Sequence, residues 1–219
     1  MAENALENIH ATVLLKETVD FIEVKDDGVY VDATLGLAGH AREILRRNET
    51  CRLIGIDQDR AALELAKERL AEFGGRVTFE KANFSAIKTV LKAVEGVEGI
   101  IADLGVSSLQ MDSEERGFSF RFDAPLDMRM DAGSDRPTAA ELLAALSEEE
   151  IANVIYEYGE ERFSRRIARR IVERRNAGEP VTTTKQLVEL VERSVKRSPK
   201  DKIHPATRTF QALRIAVNG

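Results

Sequence analysis

Two aspartates, Asp57 and Asp103, each close a short apolar run and are followed at once by a loop. That is where a carboxylate at a strand tip can meet a ligand. Asp57 stands eighteen residues after Gly39, the last residue of the turn Gly36-Leu37-Ala38-Gly39. The spacing is close to the roughly 20 residues between a nucleotide-binding turn and the acid that accepts hydrogen bonds from a ribose diol. The turn lacks the Gly-x-Gly-x-x-Gly pattern that lets a pyrophosphate approach the backbone. A nucleoside without phosphates, of the S-adenosylmethionine kind, needs only a close approach for its amino-acid end. His40, opening the next helix, is read as a cap or a ligand-facing group, and Phe84 as a ring that flanks adenine or packs in the core. For Asp103 the readings are holding the cofactor, accepting a proton hydrogen bond from an amine under attack, or capping a turn. No histidine or cysteine stands at metal-ligand spacing from His40, so no metal site is expected.

The elements that would position these groups follow from the pattern of apolar residues. Residues 29–34 form a β-branched and aromatic run that ends in the glycine turn, with a helix from about Ala41. Residues 53–57 are a second strand, leading to a helix that Asp59 can cap, with Ala62, Leu63, Ala66 and Leu70 on one face. A third strand covers 77–79 and precedes Asn83-Phe84; a fourth covers 99–103 and runs into a loop at Gly105. Strands alternating with helices in this way predict right-handed crossovers and a parallel, doubly wound α/β sheet. After about Asp131 the strand signals stop. Helices are predicted over 138–146, 147–158 (Ser147 and Glu150 at capping-box spacing), 160–177 and 183–196, and a last one within 204–217.

Composition narrows the class. With 219 residues, 43% of them hydrophobic, the chain can build one substantial core plus an appendage. No run approaches the roughly 18 apolar residues of a membrane span, and Met1-Ala2-Glu3-Asn4 lacks the start of a signal peptide, so a cytoplasmic protein is expected. The single cysteine, Cys51, reads as core packing. Residues 151–219 hold 15 Lys and Arg against 8 Asp and Glu, whereas the first 150 hold 17 against 30. The asymmetry suggests that the later part faces a polyanion, a solvated helical surface being the alternative.

Longer motifs carry a resemblance. They are Asp103-Leu104-Gly105-Val106-Ser107-Ser108-Leu109-Gln110, Glu115-Arg116-Gly117-Phe118-Ser119-Phe120, Pro125-Leu126-Asp127-Met128-Arg129-Met130-Asp131, Tyr158-Gly159-Glu160-Glu161-Arg162-Phe163 and His204-Pro205-Ala206-Thr207-Arg208-Thr209-Phe210-Gln211. With His10-Ala11-Thr12-Val13-Leu14, they resemble the MraW family from about His10 to the end. The resemblance implies a class I methyltransferase, a Rossmann-like sheet with an inserted helical domain, using S-adenosyl-L-methionine to methylate the N4 amine of a cytidine in the decoding region of bacterial 16S rRNA. It implies cofactor contacts at Ala38, Gly39, His40, Asp57, Phe84, Asp103 and Gln110, with Asp103 the catalytic candidate. Ala38 stands where the family usually has glycine, Leu109 where it has proline and Met111 where it has leucine.

Residues 1–131 and 205–219 are then expected to form the cofactor domain, and 132–204 an RNA-recognition insertion. There, arginines 162, 165, 166, 169, 170, 174 and 175 flank an apolar stripe of Phe163, Ile167 and Ile171. Phe118 and Phe120 are read as packing residues before base contacts. The partner expected is small-subunit rRNA or an immature 30S subunit. Family strands beyond residue 219 are absent, so the fourth strand is expected to leave an open edge (Ile100-Ile101-Ala102) at which copies associate, and this form to be poorly active alone. The competing readings are a dinucleotide-dependent oxidoreductase on the same sheet and a non-catalytic RNA-binding fragment.

Overall fold

The computed structural model describes residues 12–107, 110–111, 113–195 and 203–219. His10, Ala11, Ser108 and Leu109 lie outside them, as does the end of the helix expected to reach Lys196. The chain divides into two compact units, Met1–Ser108 and Leu109–Gly219.

The first unit is a parallel α/β sheet in the order β3-β2-β1-β4, made of β1 (Val29–Asp32), β2 (Arg52–Asp57), β3 (Val77–Lys81) and β4 (Val97–Ile101). β1 is paired on both sides and buried along its whole length, so its sequence is a continuous apolar run with no alternation. Its side chains still alternate between faces. Tyr30 packs with Leu53 against Val19 of α1 (Leu15–Phe21), Ala41, Ile44 and Leu45 of α2 (Gly39–Arg47), and Leu63 and Ala66 of α3 (Arg60–Arg69). Val29 and Val31 pack with Ile54 and Ile56 on the opposite face, beneath Ile87, Val90 and Leu91 of a short helical stretch. Cys51 is fully buried, as expected, and Asp59 caps α3 by accepting from the Ala61 N–H. β4 lies at the edge of the sheet, and Ile100 on it is 51% exposed.

The order contains one reversal. From β1 the chain steps outward to β2 and β3, then returns to place β4 on the other side of β1. Loops leaving β1 and β4 diverge there, which makes the carboxyl ends of these two strands the natural ligand crevice.

The second unit holds α4 (Ala139–Ala145), α5 (Glu148–Gly159), α6 (Ser164–Asn176), α7 (Thr184–Ser194) and α8 (Thr207–Asn218). Capping boxes open α4, α5 and α7 through Thr138–Glu141, Ser147–Glu150 and Thr183–Gln186. Ile151 and Ile155 of α5, Ile167 and Ile171 of α6, Leu187 of α7 and Leu213 of α8 are buried. The unit boundary falls at 108/109, whereas the sequence divides the domains at 131/132 and 204/205. Packing explains the difference. A Cβ on Gly159 would lie 2.4 Å from the Arg208 carbonyl oxygen, so this glycine lets α8 press directly on α5. The Asn218 side chain donates to the Met128 carbonyl at 2.8 Å and accepts from the Met130 N–H at 2.7 Å, binding residues 128–130 to α8.

Candidate active site at the strand tips

The sheet register sets the level of each acid. Asp32, the last residue of β1, pairs with Gly55 on β2 and with Ile101 on β4. Asp57 and Asp103 therefore each stand two residues beyond it, a rise of about 6–7 Å along an extended chain. The fourth strand ends at Ile101 and not at Asp103 as its apolar run suggests, so Asp103 belongs to the loop.

The glycine turn ties the three tips together. The Thr34 N–H donates to Asp32 Oδ1 at 3.2 Å, and the Thr34 hydroxyl oxygen accepts from the Asp103 N–H at 2.7 Å across the β1/β4 divergence. The Gly36 N–H donates to Asp57 Oδ2 at 2.8 Å, while Asp57 Oδ1 accepts from the Asp59 N–H at 2.8 Å. The Gln58 backbone N–H also favours the ionised Asp57 carboxylate. Burial pushes the Asp57 carboxyl above the usual carboxylate range, against the hydrogen bonds from Asp59 and Gly36 that favour its charge. Asp32 is only 2% exposed, and burial first, with Asp57 and Asp103 adding to it, pushes its carboxyl up to about 7.

The other expected residues take distinct places. Ala38 caps α2 in a left-handed conformation (φ 62°, ψ 27°) that costs a non-glycine residue roughly 1–2 kcal/mol. It is held there because its N–H donates to the Leu35 carbonyl at 2.7 Å and Arg69 clamps the Leu37 carbonyl at 2.9 Å. His40 is 7% exposed, and its Nε2 has no hydrogen-bond partner among the described residues. Phe84 is 40% exposed just past β3, where Asn83 caps its turn through Ser85 and reaches Gln58 at 3.2 Å. The Asp103 side chain is exposed. Gln110 is buried and belongs to the second unit.

Gly39 has a role that its place in a cofactor motif does not reveal. A Cβ there would collide with Thr12 Oγ1 and sit 3.0 Å from Thr12 Cβ, so Thr12 rests on this α-carbon. Gly39→Ala is expected to lower the unfolding free energy by about 1–3 kcal/mol in urea denaturation, as overpacking does, and Thr12→Ser to recover little of it because the hydroxyl itself is the obstacle.

Chemically, the site is a nest of carboxylates. Among the described residues no lysine or arginine forms an ion pair with Asp32, Asp57 or Asp103, and no group of three or more His, Cys, Asp or Glu residues is placed to hold a metal ion. Such a site favours a nucleoside bearing positive charge and opposes a pyrophosphate.

In the second unit the seven arginines around α6 separate into two sets. Arg175 donates to the carbonyls of Leu143, Ala144 and Leu146, closing the C-terminus of α4. Arg166 donates to the Ser194 carbonyl and Arg174 to that of Glu179. Arg162, Arg165, Arg169 and Arg170 are exposed, with Arg169 3.7 Å from Glu148. Arg166, Arg174 and Arg175 are thus engaged with backbone carbonyls of their own unit. Arg175→Ala is expected to cost about 1–3 kcal/mol by leaving carbonyls unpaired, measured by denaturation. Arg165→Gln with Arg170→Gln should stay within about 0.5 kcal/mol of the parent. Phe118 is buried; Phe120 stacks on His204 at 4.6 Å and meets Phe210 edge-on at 5.2 Å. Both pack, as expected.

The profile of the MraW methylase family matches residues 7–219. The chain belongs to this family. It is 52% identical to "Ribosomal RNA small subunit methyltransferase H" of Gloeobacter violaceus over 218 residues, covering 100% of this chain and 66% of that one. The protein of the same name from Geotalea daltonii is 51% identical over 213 residues, covering 95% of this chain and 68% of that one. The chain thus spans about two thirds of the length of these relatives. A solved rRNA methylase from Streptococcus thermophilus overlaps 36% of this chain and 50% of its own, with 22% identity and a TM-score of 0.31. Among the described residues no helix is long and apolar enough to cross a membrane.

Proposed function

We propose that this MraW family chain binds S-adenosyl-L-methionine at the tips of β1, β2 and β4 and transfers its methyl group to the N4 amine of a cytidine in the decoding region of 16S rRNA, on an immature 30S subunit in the bacterial cytoplasm. The observation that carries the reading is the set of three acidic strand tips joined through Thr34 and Gly36 at the point where the sheet order reverses. In this reading Asp57 accepts from the ribose diol, Phe84 flanks the adenine, and the turn at Ala38, Gly39 and His40 receives the amino-acid end. Gln110 is assigned to the cofactor from the family motif alone.

When bound, the cofactor supplies an electrophilic methyl group. Cytosine N4 is a poor nucleophile, because its lone pair is delocalised into the ring. The protein's task is to align N4 and to relieve positive charge as the bond forms. Alignment removes several kcal/mol of the barrier. The exposed Asp103 carboxylate accepts a hydrogen bond from the N4 amine, and that bond strengthens as the amine becomes ammonium-like. Arg162, Arg165, Arg169 and Arg170, on or beside α6 within the 132–204 segment, contact phosphates, so affinity for RNA falls as salt rises. The target base leaves its stack to reach the methyl group. The exposed β4 edge is where two copies would associate.

A tritiated-methyl transfer assay on immature small subunits, comparing this chain with one extended through the family's further strands, tests the reading. Label is expected at a cytidine N4 of 16S rRNA; label in protein or in small molecules only would refute it.

A further inference from the structure

Asp32 is the one of the three strand-tip acids given no role of its own above, and its carboxyl is buried beside the other two. It is 2% exposed at the end of β1, and among the described residues its carboxylate accepts from the Thr34 N–H at Oδ1, at 3.2 Å. The charged groups on the elements packed around it offer it no counter-ion. β2 brings Asp57 and the loop after β4 brings Asp103, both of its own sign. Arg42 of α2 is bonded to Glu72, Arg47 is paired with Asp20 and Glu43, and Lys25 and Glu98 pair toward the opposite end of β4. His40, at the start of α2, is buried. A third carboxylate in such surroundings is stable as the neutral acid until positive charge arrives.

We propose that Asp32 exchanges a proton with the cofactor's charge: it holds a proton while the site contains no cation, releases it to solvent when the sulfonium of S-adenosylmethionine binds, and takes one up again when methyl transfer leaves a neutral thioether. This rests on the assignment of S-adenosylmethionine to the strand tips. Substrate and product differ at sulfur by one positive charge and one methyl group. An ionised Asp32 is attracted to the first and indifferent to the second, so Asp32 makes the site discriminate between cofactor and spent product and helps to eject the product. The upward displacement of the Asp32 carboxyl to about 7 puts the exchange in the neutral range. The ionised fraction then rises roughly tenfold between pH 6 and pH 8, and the affinity for a cation that needs it rises in proportion.

The experiment is calorimetric titration of the chain with S-adenosylmethionine and, separately, S-adenosylhomocysteine at pH 6 and pH 8, in buffers of different ionisation enthalpy. Asp32→Asn keeps the Thr34 hydrogen bond without the charge. The wild-type chain should bind S-adenosylmethionine about tenfold more tightly at pH 8, releasing close to one proton per ligand at pH 6, with S-adenosylhomocysteine showing no such gain. Asp32→Asn should lose both the pH dependence and the proton release. Equal pH dependence in wild type and Asp32→Asn would overturn the proposal while leaving the cofactor assignment intact. No binding of either ligand at either pH would overturn both.

Discussion

Asp32→Asn will stabilise the ligand-free chain at pH 8 and leave it almost unchanged at pH 4. The wild-type carboxyl titrates at about 7 in the fold against 3.8 when freely solvated. Below about pH 4 the acid is neutral in both states and carries no penalty. Between pH 4 and pH 7 the folded chain keeps a proton that the unfolded chain gives up, so stability falls as pH rises; above pH 7 the penalty is complete. A displacement of this size corresponds to about 4 kcal/mol. Asparagine cannot ionise, so the difference between variant and wild type should grow from near zero at pH 4 to several kcal/mol at pH 8 in urea denaturation. A constant difference across that range would mean that Asp32 is already ionised in the fold. The same substitution should weaken S-adenosylmethionine binding, the expected trade of stability against function at a strained site.

Asp103→Asn should act in the opposite way, on rate and not on stability. The structure uses the backbone of Asp103, whose N–H is bound by Thr34, and leaves the carboxylate exposed. Removing its charge should change the unfolding free energy by no more than about 0.5 kcal/mol. Methyl transfer should fall on the order of 100-fold, as for other groups that stabilise charge only in the transition state. If Asp103 acts on the N4 amine, kcat falls while the Kd for S-adenosylmethionine holds; if it grips the cofactor, Kd rises with it. An unchanged rate would remove Asp103 from the chemistry.

Much of this site could be read from the sequence because it depends on local pattern. Apolar runs located all four strands, a polar residue at a strand end announced Asp57, and the hydroxyl-to-acid spacing of Ser147 and Glu150 announced a helix start. Asp32 is not legible in the sequence, because its singular property is not local. It arises from burial between two neighbouring strands and from carboxylates 25 and 71 residues away along the chain. The contact between Thr12 and Gly39 is likewise tertiary, and a glycine that accommodates a threonine cannot be told in sequence from one that accommodates a ligand. The arginines around α6 illustrate the same limit. Their spacing gives the polar face of a helix, while the carbonyls of α4 and α7 that claim Arg175 and Arg166 are supplied by the fold.

Ligand-induced thermal stabilisation is the most direct test of the account, because it asks which nucleoside the strand tips accept. S-adenosylhomocysteine should raise the melting temperature of the wild-type chain, NADH should not, and Asp57→Asn should lose most of the rise. A rise with NADH and none with S-adenosylhomocysteine would contradict it.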